Sequence, residues 1–94
     1  MNSAGGILSI GPKYAIPGGE VSISCEGLKI NGADSFACYF DGERARVIGA
    51  SPERVLAIVP ENLENSSVEV YFENGLDRSE SAQIIVGKQL ADNL

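Results

Sequence analysis

The chain has 94 residues, 44% apolar and 21% charged, and its 13 acidic and 7 basic side chains leave a net charge of -6. That length holds one small domain. No apolar stretch approaches the ~20 residues of a membrane helix. The acidic balance offers no attractive field for a phosphate backbone, and the absence of histidine removes the commonest general base and metal ligand.

Met1 to Gly6 is small and polar and lacks the basic and apolar regions of a signal peptide. Segment 1–6 reads as a linker or expression remnant. From there, 11 Gly and 4 Pro punctuate short apolar runs, which predicts an all-β sandwich or barrel. Ile7 to Ile10 forms the first run, closed by Gly11-Pro12, and Tyr14 to Ile16 the second, closed by Pro17-Gly18-Gly19. The Gly18-Gly19 pair is expected to carry the chain between sheets at positive φ. Next, Val21, Ile23 and Cys25 alternate with Ser22, Ser24 and Glu26. Side chains flip face with each residue of a strand, so the first three belong to the core.

Gly27-Leu28 and Asn31-Gly32 lead into a strand on which Phe36, Cys38 and Phe40 share a face, and Asp41-Gly42 makes a tight turn. Ala45 and Val47 continue inward, and Ser51-Pro52 opens a corner. Val55 to Val59 is apolar throughout, which means that both of its faces are covered or that one covers a partner. Pro60 ends it for want of an N–H. Val68, Val70 and Phe72 alternate with Glu69, Tyr71 and Glu73, and Asn74-Gly75 is expected to supply the two positive φ values of a type I′ turn. Ala82, Ile84 and Val86 give the last strand its inward face. The whole predicts about eight short strands in one domain, 7–87, stacked as two sheets over one core. Segment 88–94 reads as a linker to a following domain.

Pro12, Gly18-Gly19, Val21-Ser22-Ile23 and Leu28 together resemble the opening of an IPT/TIG domain. Phe40-Asp41-Gly42 resembles that family's Phe-Gly-Gly turn, and Ala45 and Val47 its small and aliphatic positions. Val59-Pro60 resembles its closing Val-Pro, Asn74-Gly75 its Asn-Gly hairpin, and Ile84 to Val86 its last strand. The resemblance spans Ile7 to Gly87. Cys25 departs from the usual Gly and Leu28 from the usual Phe. The resemblance implies an immunoglobulin-like β-sandwich of two antiparallel sheets. The family is shared by plexins, transcription factors and bacterial surface or enzyme-associated proteins. Among these the bacterial units imply a non-catalytic accessory module without cofactor, in a secreted, periplasmic or surface protein, beside a propeller or carbohydrate-active domain.

Four groups of residues are candidates for chemistry or contact. Cys25 and Cys38 both have inward parity, on strands that an immunoglobulin-like fold places in opposite sheets. A disulfide across the core and two separate buried thiols both fit. Asp34, Asp41, Glu43 and Glu26 are expected near one end of the sandwich. They lack the dense Asp-x-Asp spacing of a calcium loop, and a sandwich this small has little room for a catalytic cleft. Asn65-Ser66-Ser67 fits a glycosylation sequon and reads as a polar loop. Leu56, Ile58, Tyr71 and Ile85 have outward parity and form the candidate docking face for a neighbouring domain or another protein. Polysaccharide is the rival partner. It calls for exposed aromatics, for which only Tyr14, Tyr39 and Tyr71 are available once the phenylalanines are assigned to the core. The negative charge sets nucleic acid aside.

Overall fold

The computed structural model describes residues 6–27, 36–75 and 77–87. They form ten strands in chain order: β1 (Gly6–Gly11), β2 (Tyr14–Ala15), β3 (Glu20–Glu26), β4 (Phe36–Phe40), β5 (Glu43–Arg44), β6 (Arg46–Ser51), β7 (Arg54–Ile58), β8 (Ser67–Asn74), β9 (Asp77–Arg78) and β10 (Ala82–Val86). No helix is present among the described residues that is long and apolar enough to cross a membrane. Leu28, Asn31-Gly32, Asp34, residues 1–5 and segment 88–94 lie outside the described residues, and Gly6, expected to end the leading linker, instead opens β1 by pairing with Glu26.

The strands build two sheets. One has four strands in the order β1-β3-β7-β6. The other runs β2-β10-β8-β4-β5, with β9 paired to β8. All pairs are antiparallel except β2 with β10, which run parallel. This is the two-sheet arrangement of an immunoglobulin-like sandwich. The count exceeds the expected eight because β5 and β9 are two-residue ladders, too short to leave a period in the sequence.

Alternation explains the core. Val21, Ile23 and Cys25 of β3, Phe36, Cys38 and Phe40 of β4, and Val68, Val70 and Phe72 of β8 are all buried. Val55, Ala57 and Val59 are solvent-free between the sheets, and Ile84 and Val86 close the core from β10. Phe36 and Phe72 meet at 5.4 Å between ring centroids with a 39° tilt. Ala37 departs from the pattern: its parity is outward, yet it is buried.

The turns show how the chain changes sheets. Between β2 in one sheet and β3 in the other, Gly19 N–H donates to the Ile16 carbonyl at 2.9 Å, closing a turn with Pro17 and Gly18 at its centre. Gly18 has φ +81, the value that a type II turn requires after a proline. Gly19 has no positive φ, and its smallness matters otherwise: a Cβ there would lie 3.1 Å from the Ile16 carbonyl oxygen. The type I′ geometry falls at Asp41-Gly42, with φ 55 and 85 between the paired residues Phe40 and Glu43. It does not fall at Asn74-Gly75. Asn74 stays in β8 paired with Asp77, so Gly75, with φ 66, opens a two-residue connection one position later than expected.

Candidate functional site

The inward side chains of the described residues pack into one buried core, so the candidate site residues are found on the outer faces, sheet edges and ends of the sandwich. The register places the four residues of the expected docking face on two faces. Leu56 and Ile58 belong to β7, on the outside of the four-stranded sheet. Tyr71 and Ile85 belong to β8 and β10, on the outside of the other sheet. They cannot form one patch, because parity reports inside or outside but not which sheet. Even Tyr71 and Ile85 are separated, since Ile85 pairs with Ser67, four residues from Tyr71 along β8, or about 14 Å.

On the six-stranded sheet, Tyr71 pairs with Tyr39, and Tyr39 with Arg44. The two tyrosine rings stack with centroids 5.4 Å apart and 20° between planes. From the β9 side the Arg78 guanidinium sits 4.3 Å from the Tyr71 ring centroid. Glu73 holds it there, accepting from Arg78 Nε at 3.3 Å and from Nη2 at 3.0 Å. The ion pair is solvent-exposed on the Arg78 side, so its role is to orient the guanidinium rather than to stabilise the fold. Partial burial raises the Tyr71 phenol above its ordinary value, with the Arg78 charge acting against that rise. Tyr71 is thus flanked on both sides, by Arg78 and by Tyr39.

At the far corner of the same face, Tyr14, Ile85 and Ser67 stand in one cross-strand row. The next row holds Gln83 opposite Glu69. Backbone bonds from Ile85 N–H to the Lys13 carbonyl at 3.0 Å and from Gly87 N–H to the Ala15 carbonyl at 2.8 Å hold the short edge strand β2 in place. Lys13, Tyr14, Ser67, Gln83 and Ile85 line an open groove of about 280 Å³ there. Tyr14 is 78% exposed. Nothing in the residue pattern ranks Tyr14 above the other two tyrosines. The difference lies in the neighbours that pairing brings to each ring.

The acidic residues separate. Asp41 and Glu43 border a groove of about 240 Å³ with the 62–65 loop. There Asp41 Oδ2 accepts from Asn65 Nδ2 at 3.1 Å and Oδ1 from the Glu69 N–H at 3.1 Å. That end also receives the start of β3, where Glu20 pairs with Ile58 just ahead of the 59–66 connection. Glu26 ends β3 at the opposite end, correcting the expectation that it joins Asp41 and Glu43. Asn65 is engaged with Asp41 and exposed, as a polar loop residue. Among the described residues no cluster of three or more Cys, Asp or Glu is placed to hold a metal ion.

Cys25 and Cys38 come from opposite sheets and both are buried, free thiols. Cys25 Sγ lies 3.8 Å from the Pro52 carbonyl and 3.9 Å from that of Ile23. Burial, with a smaller effect from the Glu53 charge, raises the Cys25 thiol above its ordinary value, and burial alone pushes Cys38 up to about 12. Neither is poised as a thiolate nucleophile.

No protein-family model matches the sequence, and no curated protein matches it either. Solved structures do match. The chain is similar to a segment of the gamma-CGTase of alkalophilic Bacillus clarkii, with a TM-score of 0.76 and 24% identity, covering 89% of this chain and 12% of that one. It is similar to part of an auxiliary nutrient binding protein from Bacteroides thetaiotaomicron, with a TM-score of 0.71 and 17% identity over 90% of this chain and 21% of that one. A third likeness is to SGBP-B of the Bacteroides ovatus mixed-linkage glucan utilization locus, solved with a mixed-linkage heptasaccharide. Its TM-score is 0.65 and its identity 13%, over 94% of this chain and 24% of that one. At such identities the likeness is one of fold. The chain is an immunoglobulin-like β-sandwich domain, and it spans less than a quarter of the length of each of these bacterial proteins.

Proposed function

We propose that this domain is a non-catalytic accessory module that spaces, stabilises or docks a neighbouring domain of a larger bacterial secreted or surface protein, of the IPT/TIG type. The observation that carries the reading is the minor share of a longer chain, 12%, 21% and 24%, that the fold occupies in the three structures it resembles. The seat for a neighbour is the outer face of the four-stranded sheet. Leu56 stands between Ser22 and Gly49 in register, and Ile58 between Glu20 and Arg46. The half-buried Leu56 therefore rises beside small flanking residues and the half-buried Ile58 between two charged ones, and Ile48, at the bulge in β6, adds a 47% exposed side chain.

The test is the double variant Leu56→Glu with Ile58→Glu. The isolated domain is expected to keep its circular dichroism and cooperative unfolding. In the longer natural protein the same variant is expected to speed limited proteolysis at the domain boundary. Unfolding of the isolated variant would make these residues part of the core, and unchanged proteolysis would remove this face from the docking proposal.

A second reading, a carbohydrate-binding module, draws support from the same neighbours, one a nutrient binding protein and one holding a bound heptasaccharide. Both readings belong to an extracytoplasmic protein.

A further inference from the structure

We infer that the groove along the β2–β10 edge is a saccharide subsite for an uncharged glucan, with Tyr14 as its stacking platform. The assignment rests on the carbohydrate-binding reading and is independent of the docking face on the other sheet.

A pyranose ring has two kinds of surface. Its faces present C–H groups, and its rim presents hydroxyls that both donate and accept. A subsite for it needs an open aromatic face with an aliphatic neighbour, and polar groups of both hydrogen-bonding senses around them. The groove supplies this division. Tyr14 takes no part in the aromatic or cation–π contacts found among the described residues, unlike Tyr39 and Tyr71. Its 78% exposure leaves the ring open to a ligand. Ile85, its partner in register and 40% exposed, extends the apolar floor. Around that floor stand the Ser67 hydroxyl, the Gln83 amide and the Lys13 ammonium. The first two both donate and accept, and the third donates.

Charge selects among ligands of this shape. Among the described residues Lys13 is the one charged side chain lining the groove. A net charge of -6 on the chain opposes a polyanion, and a single ammonium cannot offset it for a uronate polymer or a nucleic acid. An uncharged chain of sugars meets no such opposition. The groove lies open on the sheet surface, so an internal unit of a polymer can enter as readily as an end. Tyr71, flanked by Arg78 and Tyr39, has no comparable free ring face.

Affinity electrophoresis of the 94-residue chain tests the assignment in gels containing mixed-linkage β-glucan, soluble starch or polygalacturonate. At least one of the two neutral glucans is expected to retard the protein, and polygalacturonate is not. Tyr14→Ala is expected to weaken that retardation about tenfold or more in apparent affinity, and Tyr14→Phe to keep most of it. Circular dichroism should be unchanged in both, since the ring is outside the core. Retardation that survives Tyr14→Ala would overturn this site while leaving the carbohydrate-binding reading in place. No retardation by either neutral glucan would overturn both, and preferential retardation by polygalacturonate would overturn the uncharged ligand class.

Discussion

The Ser79→Ala variant probes a gap in the strand pairing of the six-stranded sheet. Along β8, β10 pairs with residues up to Val70 and β9 begins at Glu73, so the edge at Phe72 falls between them. Ser79 fills the gap. Its N–H donates to the Phe72 carbonyl at 2.9 Å, and its Oγ accepts from the Phe72 N–H at 2.9 Å. The same hydroxyl donates to the Glu80 carbonyl at 3.0 Å. Ser79 is 4% exposed and Phe72 is fully buried, so water does not replace the hydroxyl easily. Alanine leaves the Ser79 N–H bond intact and strands one buried donor, at a cost of about 1–3 kcal/mol. For a domain of this size each kcal/mol is worth roughly 4–8 °C in Tm. Urea unfolding should show a lower midpoint with an unchanged m value, and hydrogen exchange should show the Phe72 amide losing protection. A loss below about 0.5 kcal/mol, within the range of ordinary surface substitutions, would refute the claim that this serine completes the strand.

The buried thiols and the tight turn make three further outcomes testable. Burial lifts the Cys38 thiol from 9.0 to about 12. The folded chain therefore keeps a proton that the unfolded chain releases, so this site's contribution to stability is complete below pH 9 and declines as pH rises from 9 toward 12. Urea midpoints measured over that range should fall, and less so in Cys38→Ala; an equal fall in both would reject the cause. Titration of the denatured, unreduced protein should find two thiols, and none would show a bridge. Asp41 holds φ 55 while its carboxylate accepts from Glu69 and Asn65. Asp41→Ala loses those bonds and keeps the backbone strain, whereas Asp41→Gly loses the bonds and relieves it, so Ala should be the less stable by about 1 kcal/mol. The reverse order in thermal denaturation would reject that account.

Period-two alternation made the inward faces of β3, β4, β8 and β10 legible, because one dry interior selects every second side chain. What it cannot carry is the assignment of strands to sheets. Leu56 and Tyr71 have the same outward parity and point to opposite sides of the molecule, a fact set by long-range pairing alone. The same limit put Glu26 at the wrong end. The Asn74-Gly75 signal was correct about a hairpin and one residue early about its loop, because β8 stays paired through Asn74. Ser79 sits in a polar stretch with no period, so its part in the ladder left no trace in the pattern. Tyr14 looked like any residue of a short apolar run. Its distinction is the edge position that leaves its ring bare.

On the proposed readings, the two outer faces divide the work between them on physical grounds. Inward positions are fully committed to packing, where truncating a Phe typically costs about 3–5 kcal/mol, so contacts with partners are confined to residues whose replacement the fold tolerates. The four-stranded sheet offers aliphatic side chains beside Gly49 and Ser22, suited to flat apposition against another protein surface. The six-stranded sheet offers tyrosines among hydroxyls, amides and carboxylates, suited to a hydrated ligand. With the sheets about 10 Å apart and no shared side chains, a neighbour seated on Leu56 and Ile58 leaves the Tyr14 groove open. Variants on the two faces should therefore act additively: Leu56→Glu with Ile58→Glu should leave glucan retardation unchanged, and Tyr14→Ala should leave interdomain proteolysis unchanged. Cross-talk between the two readouts would mean that one partner spans both sheets, and the division of faces would fail.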